Sequence, residues 1–175
     1  VLSDEVSILE IGFGTGLNCF ITYLESKRLI NYVGVEAYPV IAEEVEKMNF
    51  IAVLDAEKDR TVFSKIHNVS WNEKHQITND FSLTKRKQFF EDIDDKDTFN
   101  LIYFDAFGAR VQPQLWTEDI FLKMYNALKN DGILVTYSAK GSVRRAMQAV
   151  GFVVERLPGP PGKREMLRAR KVVGV

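Results

Sequence analysis

Apolar positions along this chain fall into short blocks of two kinds. Residues 6–11 form a brief apolar run that stops at glycines, as a buried strand does. Residues 17–29 switch to helical spacing, and 32–35 form a second short strand that ends in Glu36. Residues 39–54 predict a helix, with Pro39 tolerated in its first turn and apolar positions at Val40, Ile41, Val45, Met48 and Ala52. Residues 55–80 are polar and poorly periodic, which predicts a short helix and a loop. A third strand is predicted within 81–90, and a strongly apolar one at 99–104 that ends at Asp105. A helix over 117–128, with Gly132 as the cap past its end, leads into a strand at 133–137. A helix over 142–150 is stopped by Gly151. Two last strands, 152–157 and 165–172, flank a turn of Pro158, Gly159, Pro160, Pro161 and Gly162.

Strands alternating with helices predict parallel βαβ units. The last two strands have no helix between them, so they must pair antiparallel. The expected fold class is α/β: a Rossmann-like, mostly parallel sheet with helices on both faces and a C-terminal antiparallel hairpin. No repeat or domain boundary interrupts the pattern, so residues 1–175 read as one domain. The chain starts at Val1, five residues ahead of the first strand, and a further N-terminal segment is expected upstream.

Composition changes this picture little, but charge distribution changes it more. Hydrophobic residues at 46% and charged residues at 27% fit a globular domain. No run of about 18 apolar residues exists, so no membrane span is expected. The single cysteine, Cys19, excludes an internal disulfide framework and fits a cytoplasmic location. Net charge is −1, yet residues 138–175 hold nine basic side chains against two acids, leaving 14 basic and 22 acidic residues for 1–137. A basic C-terminal quarter on an acidic body suits an anionic partner.

The candidate chemistry starts at Glu10, Gly12, Gly14 and Gly16, between the first strand and the first helix. Glycines there let the backbone turn tightly and approach a ligand. A dinucleotide fingerprint needs its third glycine at position 17, which is Leu17. Alternate glycines behind an acid instead suit S-adenosylmethionine, whose methionine end carries an amine, a carboxylate and a sulfonium. Glu10 can attract the ammonium group, and N–H groups of the turn can meet the carboxylate. Glu36, at the end of the second strand, can accept two hydrogen bonds from a ribose diol. Asp105 ends the strand expected to neighbour the first, so it lands beside the glycine loop. A carboxylate there can orient an acceptor amine and take its proton. Phe107 can stack on a flat base or contact the methyl path.

Three blocks resemble the methyltransferase domain of the MnmC family of tRNA wobble-uridine modifying enzymes. They are residues 9–18; residues 104–107 with Pro113, Trp116 and Thr117; and residues 143–146 continuing through Gly151 and Phe152 to 162–167. The first block is common to many methyltransferases, whereas the Lys163-Arg164-Glu165-Met166-Leu167 run after a Pro/Gly turn is far more specific. The resemblance implies a class I methyltransferase fold and methylation of the aminomethyl nitrogen of 5-aminomethyl-(2-thio)uridine at the tRNA wobble position. It implies that Asp105 is the catalytic acid and that Glu10, Gly12, Phe13, Gly14, Thr15, Gly16, Asn18, Glu36 and Asp105 bind the cofactor. Phe107, Lys163, Arg164 and Glu165 match the substrate side, and Lys140, Arg144, Arg145 and Arg168 are expected to meet phosphates around the anticodon loop.

The chain departs from the family in two further ways. It carries no FAD-binding oxidase domain and so resembles the standalone members, for which a separate FAD-dependent enzyme would supply the aminomethyl substrate. Where the family's third strand ends in a Gly-Asp pair, this chain has Lys87-Gln88-Phe89, and Gln88 takes the adenine-contacting place. The residues themselves leave two alternatives open: a small-molecule or peptide amine methyltransferase, and a non-catalytic binding protein of the same fold. His67 and His75 lack neighbours at ligand spacing, so no metal site is expected. Cys19 is expected in the core, and the acidic run 92–97 as a solvated loop.

Overall fold

One sheet organises the computed structural model, which describes residues 5–108, 111–159, 161–162 and 164–172. Its strands are β1 (Glu5–Ile11), β2 (Leu29–Glu36), β3 (Lys74–Thr78), β4 (Phe81–Lys87), β5 (Phe99–Phe104), β6 (Leu128–Thr136), β7 (Phe152–Pro158) and β8 (Glu165–Lys171), in the order β3-β4-β2-β1-β5-β6-β8-β7. Strands β4, β2, β1, β5 and β6 run parallel. Strand β3 pairs antiparallel with β4, and β8 inserts antiparallel between β6 and β7. The helices are α1 (Leu17–Glu25), α2 (Ala42–Val45), α3 (Phe50–Val53), α4 (Arg60–Asn68), α5 (Glu118–Ala127) and α6 (Gly141–Ala149).

Side chains alternate across each strand, so one strand feeds two cores. Along β1, Ile8 packs with Phe20 of α1, Phe63 and Ile66 of α4 and Leu83 of β4. Leu9 and Ile11 pack on the other face with Phe121 and Met124 of α5 and Met147 of α6. The expected α/β sheet with helices on both faces and a C-terminal antiparallel pair is what forms. Cys19 lies fully buried in the first of these cores. Among the described residues no helix is long and apolar enough to cross a membrane.

Four local expectations need correction. The predicted helix over 39–54 is broken into the single turns α2 and α3. No residue of α2 is buried, so that segment lacks the packing that holds short helices together. The polar stretch 55–80 contains β3 as well as α4; β3 buries one residue, Ile77, and hides in the sequence as an edge strand does. Its exposed edge is partly covered by Lys65, whose Nζ donates to the Gln76 and Ile77 carbonyls at 2.7 and 2.9 Å. Gly132 is no helix cap: α5 passes directly into β6 at Leu128. The β5–β6 pairing then jumps from Phe99–Leu128 to Leu101–Ile133, and Asp131 takes a φ of 62° inside that irregularity. The acidic run is not merely solvated either. Asp95 accepts two hydrogen bonds from Arg86, at 2.6 and 3.1 Å, and Asp97 accepts one from buried Lys171 at 2.8 Å.

Gly34 of β2 lies under Phe13, and a Cβ added there would overlap that ring. Phe13 is buried and is the second residue of the glycine loop. Gly34→Ala is therefore expected to lower unfolding stability by about 1–3 kcal/mol, as overpacking does. Urea unfolding checks this, and an unchanged midpoint would show that the ring yields freely.

Candidate active site

The order of strands reverses at β1, whose neighbours β2 and β5 lead away in opposite directions. In open α/β sheets ligands bind outside the carboxyl ends of the strands at such a point. A cavity of about 830 Å³ opens there. That is within the roughly 300–1,000 Å³ typical of small-molecule sites.

Its floor is the glycine loop. Gly12, Gly14 and Gly16 have φ of 87°, 49° and 70°, the left-handed region where side chains are strained. Gly12 has a second reason to lack a side chain: a Cβ would stand 2.8 Å from the Asp105 carbonyl oxygen. Gly12 and Phe13 both donate N–H to the Val35 carbonyl at 3.0 Å, and the Asp105 N–H donates to Ile11 at 2.9 Å. The ends of β1, β2 and β5 are thereby laced together. The Gly14 N–H donates to Glu36 Oε2 and the Gly16 N–H to the Phe13 carbonyl, so with Gly12 and Phe13 four of the five N–H groups from Gly12 to Gly16 already have partners.

Four carboxylates line this cavity: Glu10, Glu36 and Asp105 around the glycine loop, and Glu91 at the rim beside Phe89. Glu36 also accepts the Tyr38 N–H at 3.0 Å. Glu10 is 1% exposed. Burial pushes its carboxyl up to about 8, against hydrogen bonds from Asn18 and Tyr32 that pull it down, with Asp105 and Glu36 adding repulsion. Asn18 Nδ2 donates to Glu10 Oε1 and to Asp105 Oδ2, both at 2.9 Å, and Tyr32 Oη donates to Glu10 Oε2 at 2.8 Å.

The backbone after Asp105 is held from two sides. Tyr137 Oη donates to the Ala106 carbonyl at 2.7 Å, and Trp116 Nε1 to the Phe107 carbonyl at 2.8 Å. The Phe107 side chain is left 70% exposed at the cavity mouth. At the opposite rim, beside Glu36, Tyr38 and Phe89 meet edge to face with ring centres 6.2 Å apart.

Of the residues singled out in the sequence, Glu10, Gly12, Phe13, Gly14, Thr15, Asn18, Glu36, Asp105 and Phe107 line one cavity. Gly16 sits just behind it as the residue preceding α1. Gln88 does not line it; Phe89, Phe90 and Glu91 do. Tyr38 and Tyr137 were missed too, although each lies just past the end of a parallel strand, which was the available signal.

The basic quarter divides into two groups. Arg168 pairs with Glu155 at 2.7 Å, Arg156 with Glu165 at 3.7 Å, Arg170 with Asp131 at 4.0 Å, and Lys171 with Asp97. Arg168, expected on phosphate, is instead a cross-strand ion pair of β7 and β8, and Glu165 is likewise engaged by Arg156. Lys140 and Arg145 are exposed at the first turns of α6, Arg144 is half-buried beside them, and Arg164 is exposed just before β8. These four lie outside the cavity lining, beyond the same end of the sheet. Lys163 lies outside the described residues.

A model of a family described as S-adenosyl-L-methionine-dependent methyltransferase matches residues 57–172. Among curated relatives, the tRNA 5-methylaminomethyl-2-thiouridine biosynthesis bifunctional protein MnmC of Leptospira borgpetersenii is 28% identical over 183 residues, covering 97% of this chain and 27% of its own length. Its counterpart from Aromatoleum aromaticum is 29% identical over 181 residues, covering 95% and 28%. The chain therefore spans little more than a quarter of the relatives it matches. Among solved structures, MNMC2 from Aquifex aeolicus superposes with a TM-score of 0.67 at 20% identity, over 98% of this chain and 55% of that one. Spermidine synthase from Thermotoga maritima gives 0.59 at 16%, over 98% and 55%. These likenesses concern the fold.

Burial of Glu10 predicts a pH dependence of stability. Its carboxyl titrates near 4.5 when unfolded and near 8 when folded, so the folded state holds the proton more tightly. The stabilising contribution is complete below about pH 4.5 and is lost as pH rises through about 8. Glu10→Gln removes the titration. The variant is expected to gain on the wild type between these limits, by an amount on the order of a few kcal/mol. Parallel stability profiles for the two proteins from pH 5 to 9 would contradict it.

Proposed function

From the premise that the chain belongs to the S-adenosyl-L-methionine-dependent methyltransferase family, we propose that it methylates the aminomethyl nitrogen of 5-aminomethyl-(2-thio)uridine at the tRNA wobble position. The observation that carries this reading is the meeting of Asp105 and Phe107 with the glycine loop in one cavity at the β1/β5 switch point. The tRNA 5-methylaminomethyl-2-thiouridine biosynthesis for which the MnmC relatives are named supports the choice of substrate. In this reading residues 1–175 act as one methyltransferase module.

The cavity fits the cofactor. Among the described residues its walls carry four carboxyl groups and no lysine or arginine, which suits a ligand with ammonium and sulfonium charges. Glu10 holds the ammonium end, the Thr15 N–H and the first turn of α1 the methionine carboxylate, and Glu36 the ribose diol. The exposed Tyr38 and Phe89 rings take the adenine, in place of Gln88. When bound, the cofactor supplies an electrophilic methyl on a cationic sulfur. Asp105 orients the acceptor amine and receives its proton as the new N–C bond forms and the C–S bond electrons return to sulfur. Phe107 stacks against the uracil ring and keeps water from the amine. Exposed Lys140, Arg145 and Arg164, with Arg144 behind them, meet anticodon-loop phosphates, and Lys163 joins them. A separate FAD-dependent activity supplies the aminomethyl substrate.

Incubation with isotope-labelled cofactor and tRNA from cells lacking this modification tests the reading. Label is expected in the wobble nucleoside, and its absence there would refute the substrate. Asp105→Asn should keep cofactor affinity and lose on the order of a hundredfold or more in turnover. Full activity would remove Asp105 from the chemistry. Replacing Arg145 and Arg164 together by alanine should lower the slope of log affinity for tRNA against log salt by about 1–2 and leave cofactor affinity unchanged. An unaltered slope would place the tRNA elsewhere.

A further inference from the structure

Asn18 occupies the second position of α1 and donates from a single nitrogen to two carboxyl groups on neighbouring strands, Glu10 of β1 and the Asp105 that follows β5. We infer that Asn18 is a positioning residue, which fixes the plane of the Asp105 carboxylate and ties it to the occupant of the Glu10 subsite. This rests on Asp105 being the proton acceptor proposed above.

The argument is one of hydrogen-bond capacity. A side-chain amide has two N–H hydrogens, and both are committed here. Rotating the amide by half a turn would set its oxygen against Asp105 Oδ2, so the observed orientation is the favourable one. The Asn18 backbone is anchored in the helix, where the Thr22 hydroxyl donates to its main-chain carbonyl at 2.7 Å. Glu10 is fixed from its other oxygen by Tyr32. Without the amide, the hydrogen-bonded bridge between these two carboxyl groups would be lost. Asn18 was expected from sequence to bind the cofactor, but its donors are spent within the protein. Its contribution to catalysis therefore passes through Asp105.

The consequence is a coupling between cofactor and acceptor subsites. A cation drawn to Glu10 changes the charge at one end of the amide, and the amide presents the same nitrogen to Asp105. The titratable groups around this pair are Tyr32 on β2, Cys19 on α1 with Lys85 of β4 beyond it, Tyr103 on β5, Glu36 at the end of β2 and Tyr137 after β6.

The test uses Asn18→Leu, similar in size but without donors, and Asn18→Gln, which keeps an amide. Asn18→Leu should lower kcat on the order of ten- to a hundredfold with little change in KM for tRNA. The acidic limb of its pH–rate profile should move upward, because Asp105 loses a donor that favours its ionised form. Asn18→Gln should recover a substantial part of both. A wild-type kcat and pH profile in Asn18→Leu would overturn the inference. Carboxyl carbon NMR of Asp105 in wild type and Asn18→Leu gives a readout independent of turnover. The titration midpoint should rise in the variant, and an unchanged midpoint would also overturn the inference. If the wild-type protein methylates no tRNA, the proposed substrate fails, while the carboxyl titration still decides the role of Asn18. Should Asn18→Leu not fold, Asn18→Ser, with one donor hydrogen in place of two, is expected to show the same upward shift in smaller measure, and no shift would count against the inference.

Discussion

The close passage of Gly12 across the Asp105 carbonyl is the constraint on which the site depends. There is no space for a Cβ between them, and the backbone of Gly12 is in the left-handed region as well. Two strands that already pair in parallel, β1 and β5, are thus brought together at their carboxyl ends. Glu10 and Asp105 become near enough for one amide to bridge them. The Asp105 N–H bond to Ile11 and the two bonds to Val35 extend the same lacing to β2, where Glu36 closes on Gly14. Backbone contacts, rather than side-chain packing, set where the three carboxyl groups stand.

Around that fixed point the cavity is asymmetric in chemistry. One wall is acidic and holds Glu10 in a poorly solvated place, where a cation is the natural counterpart. The rims are aromatic, with Tyr38 and Phe89 on one side and Phe107 on the other, all exposed. Exposed aromatic surface beside a buried carboxyl group suits a ligand that is cationic at its centre and flat at its ends. The cations of the chain are kept outside, on α6 and just before β8, and about half of the basic quarter is spent on ion pairs within the fold. Charge counted along the sequence overstated what is available to an anionic partner.

What was legible in the sequence was local. Residues 10–16 announce a tight turn between strand and helix because alternate glycines have few other uses there. Glu36 and Asp105 follow because acids that end apolar strands land at the ligand edge of a parallel sheet. The fold class followed from the alternation of periods, and the late hairpin from the missing helix. What was hidden depends on contacts distant in sequence. Strand β3 buries a single residue and is defined by pairing with β4. The segment 39–54 has helical spacing but buries only Ile51 fully, with Val45, Met48, Phe50 and Leu54 half-buried against the same core, and its helix breaks into two single turns. Lys85, a charged residue in β4 that nothing in the sequence singles out, is buried, donates to the His67 carbonyl and lies 5.1 Å over the Trp71 ring. Gln88 was chosen by alignment to a family motif, while the residues that reach the cavity are its neighbours Phe89 to Glu91. A one-residue offset at a strand end changes the chemistry offered to the ligand from an amide to an aromatic ring.

The account stands on the claim that the Gly12–Asp105 apposition builds the cofactor site. Calorimetric titration of Gly12→Ala with S-adenosylmethionine, beside the wild type and with folding checked by circular dichroism, measures this most directly. The account predicts a folded variant whose affinity falls on the order of tenfold or more, because the loop and Asp105 must separate to admit a methyl group. A folded Gly12→Ala protein that binds the cofactor as tightly as the wild type would contradict it.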